Sequence, residues 1–216
     1  MSASSTPVDE RLFAFIQKQT IAEDAYLRDL RQAARQAGLP EIHIAPEQAA
    51  FLQLLLRGAG ARTVVEVGTL GGYSAIAMAR GLPEGGRVIT HEIEPAHAEF
   101  ARQWIARSDQ AGRIEVRLGN AIDTLPTIAD GSVDAVFLDA DKEGYVAYLG
   151  QALRMLRSGG ILLADNVLAG GHIADGSGGS ATAQAITRFL AAVQAARSLR
   201  SVIVPLGDGC LFGVKE

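Results

Sequence analysis

The stretch Thr63-Val-Val-Glu-Val-Gly-Thr-Leu-Gly-Gly-Tyr-Ser74 decides how the rest of the chain folds. Its β-branched beginning, residues 63–67, is typical of a strand buried on both faces of a parallel sheet. Glycines then permit a tight turn, and an alanine-rich helix follows as far as Gly81. A strand, a glycine turn and a helix N-terminus together form a common ligand site in α/β proteins.

Glu66 needs an explanation, because a carboxylate near the end of a buried strand is destabilising unless something pairs with it. It would repel a pyrophosphate, and the spacing G-x-x-G-G differs from the G-x-G-x-x-G of dinucleotide sites. The ammonium group of S-adenosylmethionine would suit it. The next predicted strand ends in Glu92, where an acidic residue binds a ribose in such folds. These two acids favour an adenosyl ligand; the alternative is an ordinary α/β protein with acidic loops.

Composition limits the class of protein. The chain has 216 residues, of which 48% are hydrophobic, and a net charge of −4. This size predicts a single domain, residues 1–216, and the charge argues against nucleic acid or an anionic membrane as a partner. The one cysteine permits no internal disulfide, no apolar run is long enough to cross a bilayer, and residues 1–6 do not resemble a signal peptide. We therefore expect a soluble cytoplasmic protein.

The order of predicted elements indicates an α/β fold. Three helices come first, the earliest beginning at Thr6 and Pro7, and residues 1–60 are expected to form a cap that covers the sheet or the ligand, or joins two subunits. From residue 61 to 216 strands and helices alternate, which predicts a doubly wound, mostly parallel sheet. The predicted strands are residues 64–67, 88–91, 114–118, 135–138, 161–164, 201–204 and 210–214. The five-residue turn between the last two predicts an antiparallel hairpin.

Residues 169–180 are rich in glycine and form a long irregular segment. They are either an ordinary surface loop or a lid over a substrate, and the sequence does not choose between these two.

Polar residues also stand directly after two later strands. Asp139 follows one predicted strand, and Asp165 and Asn166 follow the next strand along the chain. The carboxyl ends of parallel strands meet at one edge of a sheet, so these side chains are expected to lie close together. Two carboxylates and an amide oxygen, without His or Cys, suit a hard cation: Mg²⁺, or else Mn²⁺ or Ca²⁺. Any one of them alone would more often be a helix cap.

Lys142 comes three positions after Asp139. A lysine that has released its proton beside a divalent cation can act as a general base; a solvated surface lysine is the alternative. Asp141 is more typical of a cap than of a metal ligand, and Tyr145 begins a helical stretch whose apolar side chains predict core. The four histidines have no metal-ligand spacing, and His97 is the one expected near an adenine ring.

Together these motifs resemble the cation-dependent O-methyltransferases, the group of catechol and caffeoyl-CoA O-methyltransferase. The resemblance covers roughly residue 42 to the C-terminus. Its motifs are EVGTLGGYSAI at residues 66–76, EIEP at 92–95, GNAIDTLP at 119–126, FLDADKEGY at 137–145, ADNV at 164–167 and PLGDG at 205–209. The resemblance implies a Rossmann-like class I methyltransferase fold, with a seven-stranded sheet in which one strand is antiparallel.

The resemblance also implies roles for single residues. The residues implied to bind the methionine part of S-adenosylmethionine are Glu66, Gly68 and Ser74. Glu92 would bind the ribose, and Ala121 would lie beside the adenine. Other contacts along the cofactor would come from Ile44, Ile93 and Asp139. Asp139, Asp165 and Asn166 match the metal ligands, and Lys142 matches the catalytic lysine. Two departures from the family are a missing serine at Ala121 and a missing tryptophan near Ala169, and the second leaves the acceptor open.

The implied reaction is methylation of one hydroxyl of a catechol or another vicinal aromatic diol. The metal orients the two hydroxyl oxygens, Lys142 accepts a proton, and the oxygen attacks the sulfonium methyl group. The family also implies a homodimer. Three alternatives stay open: a nicotinamide-dependent reductase, which Glu66 disfavours, a noncatalytic adenosyl-binding protein, and a metal-independent methyltransferase. The last two would not need the acidic cluster and the lysine together.

Overall fold

Seven strands form one sheet in the computed structural model, which describes residues 6, 8–19, 23–175 and 180–216. The strands are Thr63–Val67 (β1), Arg87–Glu92 (β2), Ile114–Leu118 (β3), Val133–Leu138 (β4), Leu156–Ala164 (β5), Leu199–Val204 (β6) and Cys210–Lys215 (β7). Their order is β3-β2-β1-β4-β5-β7-β6. β1 to β5 pair in parallel, whereas β7 is antiparallel to both of its neighbours. The predicted mostly parallel α/β sheet with a C-terminal hairpin is confirmed.

Helices cover both faces of this sheet. The α-helices are Glu10–Gln19 (α1), Ala25–Gln36 (α2), Pro46–Gly58 (α3), Tyr73–Gly81 (α4), Pro95–Arg107 (α5), Ala121–Thr124 (α6), Tyr145–Met155 (α7) and Ala181–Ala195 (α8). Leu30 of α2 and Leu52 of α3 are buried in one apolar cluster with Val64 of β1. The next strand residue, Val65, joins Phe189 of α8 in the cluster on the opposite face. This alternation places a core on each side of β1 and makes the sheet doubly wound.

Two of the leading helices, α2 and α3, pack into the core on one face of the sheet, and covering the sheet was one of the three roles predicted for the leading helices. α2 and α3 contribute to the core, while α1 contributes no buried residue. α1 begins after Asp9, whose side chain accepts a hydrogen bond from the amide of Leu12 at 2.8 Å, so Asp9 and not Thr6 is the cap. Pro7 lies outside the described residues. The division into a cap, residues 1–60, and a core, residues 61–216, stays a prediction.

The largest difference from a predicted strand boundary is at the start of β5. β5 begins at Leu156 and not at residue 161, because the chain continues as a strand through a register shift opposite Val133 and Ala135. In the glycine-rich segment, Ala169–Asp175 forms short 3-10 turns kinked at two glycines, and residues 176–179 lie outside the description. A lid role for this segment stays a prediction.

None of the described helices is long and apolar enough to cross a membrane. The cytoplasmic location inferred from the sequence stays a prediction.

Candidate active site

The carboxyl ends of β1, β2, β4 and β5 border one cavity of about 780 Å³. This position follows from the strand order, since ligands of parallel sheets bind at the carboxyl edge. The predicted site residues that line it are Ile44, Gly68, Ser74, Glu92, Ile93, Ala121, Asp139, Lys142 and Asn166. Two others, Glu66 and Asp165, are buried next to residues of the wall. The structure therefore brings all the residues predicted for the site to one place.

Glu66 is a fully buried acid with one satisfied oxygen. The Ser74 hydroxyl donates a hydrogen bond to Oε1, while Oε2 has no hydrogen-bond partner among the described residues. Burial raises the pKa of Glu66 to about 8, although the Ser74 hydroxyl opposes this shift. A cationic group nearby would favour the ionised carboxylate, so this site fits the ammonium of a methionine-derived ligand.

The glycine turn brings the end of β1 against the end of β4. Gly68 has a φ angle of +99°, and a Cβ atom there would lie 1.9 Å from the carbonyl oxygen of Asp139. The amide of Gly68 donates to the carbonyl of His91 at 3.0 Å. Only glycine fits both the backbone angle and this close approach. Gly68 therefore brings the ends of β1, β2 and β4 together at the edge of the cavity.

Glu92 is held by the backbone through both of its oxygens. Oε2 accepts a hydrogen bond from the amide of Leu70 at 2.7 Å, and Oε1 accepts one from the amide of Glu94 at 2.9 Å. His97, predicted to lie near the cofactor, lines the cavity with Nδ1 3.9 Å from Glu92 Oε1. A carboxylate fixed in this way retains lone pairs for the hydroxyls of a ribose.

Apolar side chains form another part of the cavity wall. Ile93 is 60% exposed and lines the cavity together with Ala121 and Ile122. Ala121 begins α6, which Asn120 caps by accepting a hydrogen bond from the amide of Ile122 at 3.0 Å. An apolar wall beside fixed polar groups suits a planar base such as adenine.

Asp139 and Asp165 form an acidic pair at the ends of β4 and β5, in which Asp165 is buried and the Asp139 side chain is 22% exposed. Burial raises the pKa of Asp139 to about 6; the positive charge of Lys142 opposes this, and the negative charge of Asp165 adds to it. Burial also raises the pKa of Asp165, which is 3% exposed, while a hydrogen bond from Gln48 opposes that shift. A bound cation would lower both pKa values and stabilise both carboxylates.

The donors present fit a hard cation by chemistry. Asn166, with a left-handed φ of +58°, lines the cavity beside Asp139 and adds an amide oxygen to the two carboxylates. Among residues 8–19, 23–175 and 180–216, no three His, Cys, Asp or Glu side chains come together as a metal site would require. The set consists of two acids and one amide, and a metal at this position stays a prediction.

Gln48 contacts the acidic pair of Asp139 and Asp165, and the sequence did not predict this contact. It lies on α3, is almost completely buried, and its Nε2 donates to Asp165 Oδ1 at 2.6 Å. The sequence contains one signal of this contact, a polar residue on the apolar side of a helix. Such a residue needs a buried partner, but the pattern does not say which one.

Lys142 lies between the acidic pair and Tyr145. Its Nζ is 3.5 Å from Asp139 Oδ1 and donates a hydrogen bond to Tyr145 Oη at 2.7 Å. The side chain is 14% exposed, which disfavours a solvated surface lysine. Tyr145 is buried as predicted, but its contact with Lys142 was not foreseen. Asp141 is a cap as predicted, since its Oδ2 accepts from the amide of Gly144 at 2.9 Å.

His43 and His91 also line the cavity, and the sequence analysis gave them no role. Burial lowers the pKa of each to about 4. Both are therefore neutral at pH 7 and add no positive charge that could replace a cation near the acidic pair. His91 Nδ1 is 2.7 Å from the Thr124 hydroxyl, which orients its ring.

Known proteins match this chain over most of its length. A family model described as O-methyltransferase matches residues 17–216. A catechol O-methyltransferase of Mycobacterium tuberculosis is 44% identical over 173 residues, 80% of this chain and 79% of that protein. A catechol O-methyltransferase of Niastella koreensis is 39% identical over 197 residues, 90% of this chain and 87% of that protein.

A solved structure agrees with these relatives. The O-methyltransferase of Bacillus cereus, in complex with SAH, superposes with a TM-score of 0.88 at 36% identity, covering 94% of this chain and 96% of that one. The resemblance inferred from the sequence motifs is confirmed. The chain belongs to the O-methyltransferase family and is an S-adenosylmethionine-dependent enzyme.

Proposed function

We propose that this enzyme methylates one hydroxyl of a catechol, or of another vicinal aromatic diol, with the help of a divalent cation. The carrying observation is the acidic pair Asp139 and Asp165 at the cavity edge, with Lys142 Nζ 3.5 Å from Asp139 Oδ1. Asn166 completes a set of oxygen donors that suits Mg²⁺, with Mn²⁺ or Ca²⁺ as substitutes. The names of two relatives, both catechol O-methyltransferases, support this class of acceptor.

The cofactor is assigned to the edge formed by β1 and β2. Glu66, with its unpaired oxygen, would bind the methionine ammonium through charge, and Ser74 would hold it from the cavity wall. Glu92 would bind the ribose, and the wall of Ile93 and Ala121 would hold the adenine. Gly68 and Ile44 would contact the cofactor between these points, as would Asp139, which lies against the Gly68 backbone.

The chemistry divides between the cation and the chain. A divalent cation held by Asp139, Asp165 and Asn166 would supply charge stabilisation for the acceptor oxygen. Lys142, in its neutral form, accepts the proton at Nζ. The oxygen then forms a bond to the methyl carbon while the carbon–sulfur bond of the sulfonium breaks, and the electron pair of that bond stays on sulfur. The site contributes by holding acceptor and methyl group in line.

A metal-independent methyltransferase is the competing function. It would leave two neighbouring carboxylates with no bound cation, where burial and the negative charge of Asp165 raise the pKa of Asp139 and the positive charge of Lys142 lowers it. A cation-dependent site uses the same two acids, so the acidic pair favours cation dependence. A noncatalytic adenosyl-binding protein has no use for the pair either.

Methyl transfer to a panel of catechols tests the proposal. With purified enzyme and S-adenosylmethionine, excess chelator should reduce turnover by at least about 10³-fold, since the cation supplies several kcal/mol of charge stabilisation. Adding Mg²⁺ or Mn²⁺ in excess should restore it. Full turnover in excess chelator would remove the cation from the reaction. No turnover of any catechol, with the cofactor bound, would instead remove this class of acceptor.

A homodimer is part of the same proposal. It is supported by the family resemblance and by apolar side chains on the outer surface of the leading helices, Phe15 at 58% and Leu54 at 54% exposure. Light scattering at micromolar concentration should give twice the mass of the chain, and the mass of a monomer would overturn it.

A further inference from the structure

Tyr145 carries a buried hydroxyl that the proposed reaction does not yet use. It is the first residue of α7 and fully buried, and its ring packs edge to face on Phe189 with centroids 5.1 Å apart. Its Oη lies 2.7 Å from Lys142 Nζ and 3.0 Å from each of two carbonyl oxygens, those of Leu138 and Asp165. The hydroxyl therefore connects the lysine to the ends of β4 and β5.

The directions of these hydrogen bonds follow from what each group can do. The hydroxyl has one hydrogen, and both carbonyl oxygens can only accept, so Oη donates to one of them. It must then accept from Lys142, whose amino group has N–H donors whether or not it is charged. The other polar contact of Nζ, with Asp139 at 3.5 Å, is at the outer limit for a hydrogen bond. Tyr145 is thus the closer hydrogen-bond partner of Nζ.

We propose that Tyr145 is a positioning residue, which holds the Lys142 amino group where it takes the proton of the acceptor. The inference rests on the proposed role of Lys142. An N–H of Lys142 directed at Oη, 2.7 Å away, fixes the position of Nζ at the end of the lysine side chain. Without the hydroxyl, the flexible four-carbon stem of lysine populates other rotamers, and a smaller fraction of molecules has Nζ in place.

We expect the fold to tolerate the loss of this hydroxyl. The Leu138 carbonyl also accepts the amide of Asp165 at 2.9 Å, and the Tyr145 ring keeps its contact with Phe189. Tyr145→Phe should therefore fold with a melting temperature close to that of the wild type. Tyr26→Phe is a matched control, because it removes a tyrosine hydroxyl that donates to the Trp104 carbonyl on α5, outside the cavity.

A double-mutant cycle of Tyr145 and Lys142, measured with one catechol as acceptor, tests whether Tyr145 acts through Lys142. Tyr145→Phe should lower kcat by roughly 10–10²-fold, as expected for a misplaced reacting group, with little change in KM or in cofactor affinity. In the Lys142→Ala background the same substitution should have no further effect, because the tyrosine acts through the lysine. A further loss in the double variant, or wild-type kcat in Tyr145→Phe, overturns the positioning role. Wild-type kcat in Lys142→Ala overturns the proposed function of the lysine instead.

A second measurement does not depend on turnover. Side-chain nitrogen-15 NMR relaxation of the Lys142 amino group in the cofactor-free protein reports how restricted Nζ is on the picosecond to nanosecond timescale. The amino group should be ordered in the wild type and in Tyr26→Phe, and mobile in Tyr145→Phe. Equal order in all three proteins overturns the inference, even if no acceptor has been found.

Discussion

The two ends of the cavity satisfy their acids in different ways. At the cofactor end, Glu92 receives two backbone amides and Glu66 receives the Ser74 hydroxyl. At the acceptor end, Asp139 has a loose contact with Lys142 at 3.5 Å, and its pKa is raised to about 6 by burial and by the neighbouring acid. At the first end three of the four carboxylate oxygens accept hydrogen bonds from the described chain and Glu66 Oε2 does not, whereas at the second end two carboxylates lie close enough for the charge of Asp165 to raise the pKa of Asp139. Changes at the first should therefore alter cofactor affinity, and changes at the second should alter rate.

Removing one acid of the acceptor end gives the largest effect. Asp165→Ala should lower kcat by about 10³-fold, because the cation loses a carboxylate and its charge stabilisation with it. The dissociation constant for SAH, measured by calorimetry, should stay within about threefold of the wild type, a difference below 1 kcal/mol. Asp130→Ala, at an exposed acid paired with Arg154, is the control and should leave both quantities unchanged. Loss of SAH binding in Asp165→Ala would show that the two ends are not separate.

At the cofactor end, Glu66 should make the free energy of unfolding depend on pH. Its pKa in the folded protein is about 8, above the ordinary value of 4.5, so the folded state holds this proton more tightly than the unfolded state. The stabilisation is complete below pH 4.5 and is lost as the pH rises toward 8. The free energy of unfolding should therefore fall with a slope of up to about 1.4 kcal/mol per pH unit. Glu66→Gln should remove this slope.

Urea unfolding at pH 6, 7 and 8 measures the difference between wild type and Glu66→Gln, and the substitution Glu84→Gln at an exposed position is the control. Saturating SAH should reduce the slope in the wild type, since its ammonium favours the ionised form of Glu66. Parallel slopes for wild type and Glu66→Gln would mean that Glu66 does not carry the raised pKa.

The sequence predicted what local patterns determine. The alternation of strands and helices gave the sheet, and the acids that follow strand ends had to meet at one edge because the strands are parallel. The contacts of Gln48 and Tyr145 could not be predicted in this way. Gln48 and Asp165 are 117 positions apart, and their pairing depends on how α3 packs and on side-chain rotamers. Tyr145 was assigned to the core because periodicity reports which side of a helix is buried and not what a buried hydroxyl contacts.

Substitution of Gln48 should have the smallest effect of these changes, and it should affect the acceptor end alone. Gln48 contacts the acceptor end from outside the cavity. Its Nε2 donates to Asp165 Oδ1 at 2.6 Å, which fixes the orientation of one proposed cation ligand. Gln48→Leu keeps the approximate volume and removes the donor, so the affinity for Mn²⁺ in the SAH complex should fall by about tenfold, at the lower end for partners of metal ligands. The affinity for SAH itself should not change, because no cofactor-end acid contacts this residue in the hydrogen bonds of the described chain.

Calorimetric titration of Mn²⁺ into the SAH complex provides the measurement. Gln103→Leu is the matched control, since that glutamine also donates to a carboxylate, Glu99 at 2.9 Å, but on the exposed side of α5. Unchanged Mn²⁺ affinity in Gln48→Leu would mean that Asp165 is held well enough by the backbone of β5. A loss of SAH affinity equal to the loss for Mn²⁺ would mean that α3 couples the two ends. The two ends would then not act independently.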